Sequence, residues 1–141
     1  MKTSDSNLQI QKVAHTTCAD LYFIDNIVIV EFKRHSTIGK KELVPILDAI
    51  KLEFMTLIGI HYISNRTEVY SLKPTELTEL KSRIDKFKSY SVITYGDADR
   101  TNLIFERMFL KKPIIRYESL EAAIEDVTTY GDTDSDASNV A

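Results

Sequence analysis

A run of apolar, largely β-branched residues, Leu57-Ile58-Gly59-Ile60-His61-Tyr62-Ile63, lies near the middle of the chain. A segment that is apolar at consecutive positions has no face to offer to water. It therefore belongs inside a sheet that is covered on both sides. The run reads as a central strand, Leu57–Ser64, followed by the polar stretch Ser64–Lys73 and by a helix that starts at Pro74. Proline suits a first helical position, because its missing N–H is one of those a helix start leaves unbonded. In open α/β sheets the carboxyl ends of the strands are where ligands and partners meet the protein, so residues 64–73 are the first place to look for function.

The rest of the chain supplies the other layers. Leu8–Val13 alternates weakly and reads as an edge strand. Leu21–Ile24 and Ile27–Phe32 are strong strand signals separated only by Asp25-Asn26, a pair that tolerates positive φ, and so predict a tight hairpin. Ser36 or Thr37 can cap a helix whose core side is Leu43, Ile46, Leu47, Ile50 and Phe54. Pro45 is tolerable if that helix begins near Lys41. A second helix carries Leu77, Leu80, Ile84 and Phe87 inward, and Tyr90–Tyr95 is the next strand. A third helix, capped by Asp97 or Asp99, has Ile104, Phe105, Met108 and Phe109 as its core side. Pro113–Tyr117 makes a short last strand, and Ser119 caps a final helix with Leu120, Ala123, Ile124 and Val127 inward. The fold class is α/β: an antiparallel hairpin followed by βαβαβα, with a mixed, mostly parallel sheet. Helices should cover both faces, or predominantly one if the units wind continuously.

At 141 residues the chain suits one domain, read as 1–130, with an acidic, disordered tail at 131–141. That tail holds three aspartates, and without them eighteen acidic residues face eighteen basic ones. A near-neutral body gives no bulk attraction to nucleic acid. The single Cys18 forms no internal disulfide and fits a reducing compartment. The first residues lack the apolar core of a signal peptide, and no apolar run approaches the ~20 residues that span a bilayer. The expected location is cytoplasmic.

The Ile24–Ile29 hairpin, the Arg66…Tyr70-Ser71-Leu72-Lys73-Pro74 segment, Glu106…Phe109…Lys112-Pro113 and the closing Leu120–Ile124 resemble the SpoIIAA-like group of STAS domains over about residues 19–128. A related resemblance, through the same βα arrangement, is to the lipid-binding CRAL-TRIO domains. The STAS resemblance implies a bacterial regulatory domain without enzymatic activity, of the anti-sigma-factor-antagonist kind, which binds a partner protein. In that family a serine in an Asp-Ser-x-Gly turn is phosphorylated. The turn sits between the central strand and the next helix. This chain has Ser64–Ser71 there and lacks the pattern, which leaves Ser71 and Thr67 as positional candidates only.

Candidate residues gather at the strand ends. Arg34, Arg66, Tyr70, Ser71, Asp97 and Arg100 form the expected rim for a partner or ligand, with His35, Ser36, Ser64, Asp99 and Glu118 nearby. The arginines and the helix start after Pro74 could hold a phosphate or carboxylate. Equally, they could cap carbonyls or pair with Asp97 and Asp99. A phosphate on Ser71 would sit well beside a helix start and Arg66, whereas an unmodified serine would bond local backbone. His61 reads as a hydrogen-bonded core histidine or a buried titrating switch. His15, His35 and Cys18 lack metal-ligand spacing, and Cys18 lacks an activating base. No nucleophile elbow, P-loop or dinucleotide fingerprint occurs, so no catalytic residue and no cofactor is assigned. The Ile104–Phe109 stripe packs as core or lines an apolar pocket. The leading expectation is a protein-interaction domain. The alternative is a carrier of a small apolar or anionic ligand such as a lipid or nucleotide. The weak first strand and the Pro113 strand leave edges through which the chain could self-associate.

Overall fold

A computed structural model describes residues 1–96 and 98–129. The strands β1 (Lys12–His15), β2 (Ala19–Ile24) and β3 (Ile27–Phe32) form an antiparallel meander. β4 (Thr37–Ile38), α1 (Lys40–Phe54) and β5 (His61–Arg66) follow. Next come β6 (Ser71–Leu72), α2 (Pro74–Leu77), a 3-10 turn at Thr78–Leu80, and α3 (Lys81–Ile84). The chain continues with β7 (Ser89–Thr94), α4 (Ala98–Leu110), β8 (Ile115–Tyr117) and α5, residues 120–129. The main sheet runs β1-β2-β3-β5-β7-β8, antiparallel at first and parallel from β3 onward. β4 and β6 pair separately as a small parallel ribbon. This is the expected α/β layout, a hairpin followed by βαβαβα.

Each parallel crossover moves one strand further in the same direction. Right-handed connections then all fall on one face. There α1, α2, α3 and α4 bury Ile46, Leu47, Leu77, Ile84, Leu103 and Leu110 against Val28, Val30, Tyr62 and Val92. On the opposite face α5 packs Leu120, Ala123 and Val127 over Ile27, Ile29, Ile63 and Ile93. Alternation along each central strand feeds both layers, which is why β3 and β5 are buried at every position.

The Asp25-Asn26 hairpin forms as the sequence indicates, with Ile24 opposite Ile27 and Asp25 at φ 49°. Several boundaries differ. The first strand is Lys12–His15, later than Leu8–Val13. The central strand begins at His61, because Gly59 at φ 82° turns the chain and leaves Ile58 exposed. Thr37 pairs with Ser71 in the ribbon, so α1 is capped by Gly39, whose N–H donates to Glu42 Oε1 at 2.9 Å. Pro45 falls inside α1 on its exposed side, where water can reach the carbonyl that its ring leaves unbonded. Ser119 caps α5 as expected, its Oγ accepting from the Ala122 N–H at 3.1 Å.

The largest difference is the rotation of α4. Ile104, Phe105 and Met108 were expected inward, yet they point outward. Leu103, Glu106 and Leu110 are the buried residues, and Phe109 is half-buried. Ile104, Phe105 and Met108 therefore do not pack as core. A buried arginine beneath the helix explains the turn, since its charge requires a carboxylate more than the core requires another apolar side chain. Asp97 and the tail 131–141 lie outside the described residues.

Candidate functional site

Residues 64–66, the last turn of β5, supply side chains to both faces of the sheet at its carboxyl end. Ser64 and Arg66 point toward α4. Asn65 points to the other side, and the period of two makes this division unavoidable. Two buried polar clusters result, one on each face.

On the α4 face Arg66 is 2% exposed. Its two terminal nitrogens donate to the two oxygens of Glu106, Nη2 to Oε2 at 2.6 Å and Nη1 to Oε1. Its Nε donates to Ser64 Oγ at 3.1 Å. The Tyr90 hydroxyl donates to Glu106 Oε2 at 3.0 Å. Tyr70 and Phe32 wall the guanidinium, with ring centroids 5.3 and 6.0 Å from its central carbon, within cation–π range. Tyr62 stacks on Tyr90 at 4.7 Å. Burial works against the Arg66 charge, but the Glu106 carboxylate outweighs it and raises the Arg66 pKa. Burial raises the phenol pKa values of Tyr62 and Tyr70, and burial with the Glu106 charge raises that of Tyr90. The pair is a closed, neutral unit.

A cleft of about 240 Å³ opens above it, between Thr67–Tyr70, Tyr95–Gly96 and the Asp99–Asn102 turn of α4. Burial raises the Asp99 carboxyl pKa, with Arg66 opposing the shift. The Tyr70 hydroxyl faces Asn102 outside hydrogen-bond geometry, and the Thr67 hydroxyl is enclosed without a partner. A larger hollow of about 400 Å³ lies between the Thr16–Cys18 turn and the start of α1.

On the opposite face Glu31 is 5% exposed. Its Oε2 accepts from the Thr3 N–H at 2.6 Å, the Thr3 hydroxyl at 2.5 Å and Asn65 Nδ2 at 2.9 Å. Asn65 Nδ2 also donates to the Met1 carbonyl at 2.9 Å, and its Oδ1 accepts from the Tyr95 hydroxyl at 2.8 Å. Here the cover is the N-terminal segment, in which Thr3 alone among residues 1–5 is buried.

The rim expected from the sequence is thus divided. Arg66, Tyr70 and Thr67 line the cleft, with Arg66 and Tyr70 buried in its floor. Arg34 is exposed and lies beside Lys2, Glu31 and Glu68 at the second cluster, and Thr67 borders both. Ser71 is exposed on β6, next to Tyr70 in the chain but not among the residues that line the cleft, and Arg100 is exposed on the first turn of α4. His61 is a buried, hydrogen-bonded residue, its Nδ1 2.6 Å from Ser89 Oγ. Reading the sequence missed Glu31, Asn65, Thr3 and Tyr90 as site residues, and named Glu106 only through a resemblance. A signal was present: Glu31 interrupts an otherwise apolar strand, and Glu106 sits three residues after Leu103 and four before Leu110, on the core side of the helix.

Among the described residues no three His, Cys, Asp or Glu side chains gather as a metal would require, and no helix is long and apolar enough to cross a membrane. No family model matches the chain, and no curated protein or solved structure is significantly similar to it.

Proposed function

We propose that this chain is a STAS-like regulatory domain that acts by binding a partner protein at the strand-end cleft and along the outward face of α4. The observation that carries the reading is the rotation of α4. Ile104, Phe105 and Met108 are 57%, 39% and 58% exposed, on a helix whose first turns also line the cleft. Three large apolar side chains grouped on one exposed helix face are the usual mark of a contact surface. The cleft beside them offers hydrogen-bonding groups over a floor already neutralised by Glu106, so it suits polar main chain or side chains better than a bare anion. The absence of the Asp-Ser-x-Gly turn makes regulation by phosphorylation at Ser71 no part of this reading.

Cross-linking in cells of the source organism, followed by mass spectrometry, tests it. The wild-type chain should link to one defined partner through residues flanking α4 and the cleft, and Ile104→Glu with Met108→Glu should lose that partner while keeping the same melting temperature. Equal recovery by the folded double variant would refute the surface. A second reading, a carrier of a small ligand, rests on Thr67 and Tyr70, cleft-lining residues whose enclosed hydroxyls have no hydrogen-bond partner. It predicts a mass increment present in native and absent in denaturing spectra, reduced by Tyr70→Phe.

A further inference from the structure

We propose that Glu31, Asn65 and Tyr95 form a peptide-binding notch, that residues Met1–Thr3 occupy it as an intramolecular ligand, and that an extended segment carrying an unmodified serine or threonine displaces them. The inference is independent of the α4 surface, because the notch lies on the opposite face of the sheet.

The complementarity is that of a receptor for a short stretch of main chain. One residue supplies a carbonyl, which accepts from Asn65 Nδ2 at 2.9 Å and lies 3.3 Å from the Tyr95 hydroxyl. Two residues later, an N–H and a hydroxyl both donate to Glu31. The residue between them is Lys2, whose Nζ is 3.1 Å from the Glu68 carboxylate. The recognised unit is therefore a carbonyl, then a basic residue, then a hydroxyl residue, in this chain Met1-Lys2-Thr3.

The occupant is held at few points. Thr3 is 1% exposed, whereas Met1, Lys2, Ser4 and Asp5 are exposed. The covering element is a single 3-10 turn, Thr3–Asp5. Elements with few buried contacts open locally, without unfolding the core. Two of the three receptor residues, Glu31 and Asn65, stand on β3 and β5, which are buried throughout, and Tyr95 follows directly on β7. A rigid notch facing a lightly held insert is the arrangement in which a competing segment can enter. Glu31 also sets the selectivity. A phosphorylated serine or threonine would bring nearly two negative charges against a buried carboxylate, so the notch takes the hydroxyl and rejects its phosphate ester.

The test uses the full chain and three synthetic eight-residue peptides: residues 1–8, the same peptide with valine at its third position, and the same peptide with phosphothreonine there. Thr3→Val weakens the internal occupant without touching the receptor. The folded Thr3→Val chain should bind the threonine peptide about tenfold or more tightly than wild type does. It should show no saturable binding of the valine or phosphothreonine peptides, and adding Glu31→Gln should abolish binding. Equal binding of the threonine and valine peptides would overturn the notch, as would no binding of the threonine peptide to a folded Thr3→Val chain. Amide exchange on the wild-type chain decides the matter if Thr3→Val does not fold. The Thr3 N–H should exchange at least about a hundredfold faster than the ladder amides of Ile29 and Ile63, through openings insensitive to denaturant. Exchange of Thr3 only through global unfolding would overturn the proposal.

Discussion

Ser64, Asn65 and Arg66 are consecutive residues of one strand, yet they serve two buried clusters that are closed in opposite ways. On one face a thirteen-residue helix, α4, delivers a full charge, and Glu106 meets Arg66 through two parallel bonds between aromatic walls. On the other a terminal segment delivers neutral donors, and Glu31 is met by one N–H, one hydroxyl and the Asn65 amide. Both arrangements satisfy a buried carboxylate. They differ in what would be lost on opening. Separating Arg66 from Glu106 would strand two charges in an apolar interior. Lifting Thr3 would hydrate one carboxylate near the carboxyl end of a central strand. The first cluster fixes the position of α4. The second can be opened while the rest of the fold persists.

The largest expected effect tests the closed side. Glu106→Ala leaves the Arg66 guanidinium without its counter-charge and should destabilise the fold by about 3–5 kcal/mol. Arg66→Met with Glu106→Leu removes both charges and keeps volume. It should regain most of that loss, because buried pairs are often replaceable by apolar side chains at little net change. Urea unfolding of Arg66→Met, Glu106→Leu and the double that combines them gives the coupling directly. A double variant as unstable as the singles together would mean that the pair is not a unit, and the contrast with the Glu31 cluster would disappear.

The orientation of α4 comes next, and it bears on what the sequence made legible. The order of elements, the hairpin and the parallel crossovers were readable because they depend on local apolar patterns, which Ile27–Phe32 and the run Leu57–Ile63 display. The facing of α4 was not readable in the same way. Two apolar stripes compete on that helix, Ile104–Phe105–Met108 and Leu103–Leu110, and hydrophobicity alone favours the first. The winner is set by Glu106, which must reach an arginine forty residues earlier in sequence. The Thr3–Glu31 contact spans twenty-eight residues and was illegible for the same reason. Leu103→Ala should accordingly cost about 2–4 kcal/mol, a deletion from a packed core. Ile104→Ala should change stability by no more than about 0.5 kcal/mol, as surface changes do. Comparable losses at the two positions would reverse the assigned face.

On the openable side, Thr3→Ala removes one donor to a buried carboxylate and should cost about 1–3 kcal/mol. Met1, Lys2, Ser4 and Asp5 are exposed, so the loss should appear mainly as faster local exchange of residues 2–6. Global unfolding by urea should retain its slope. A changed slope would show that the N-terminal segment is part of the cooperative core.

Alkaline titration separates the clusters by their phenols. Burial raises the pKa of Tyr90 well above the ordinary tyrosine value and raises that of Tyr95 as well, where the side chain is 45% exposed. For an acid whose folded pKa exceeds its unfolded value, the stabilising contribution is complete below the unfolded value near 10. It is lost as pH rises above that value. Stability should therefore fall above about pH 10. Absorbance at 295 nm should show Tyr95 ionising before Tyr90, as identified by Tyr95→Phe and Tyr90→Phe. The opposite order would place the tighter enclosure on the wrong face.

The smallest effect belongs to Asp99, at the mouth of the cleft above the ion pair. Burial raises its carboxyl pKa, and Arg66 only partly opposes this because Glu106 already occupies the guanidinium. A carboxyl raised in the folded state favours folding while it stays protonated. The advantage fades as pH rises from the ordinary aspartate value of about 3.9 and is gone above its folded pKa, where the ionised form disfavours folding. Ionised Asp99 is thus a small burden near neutrality. Asp99→Asn should raise the melting temperature by about 1–3 °C at pH 7 and leave it unchanged below the ordinary aspartate value of about 3.9. The sign carries the information. If Asp99→Asn lowers the melting temperature at pH 7, the aspartate is a working partner of Arg66, the pair is a triad open to the cleft, and the two faces of the sheet differ less than their geometry indicates.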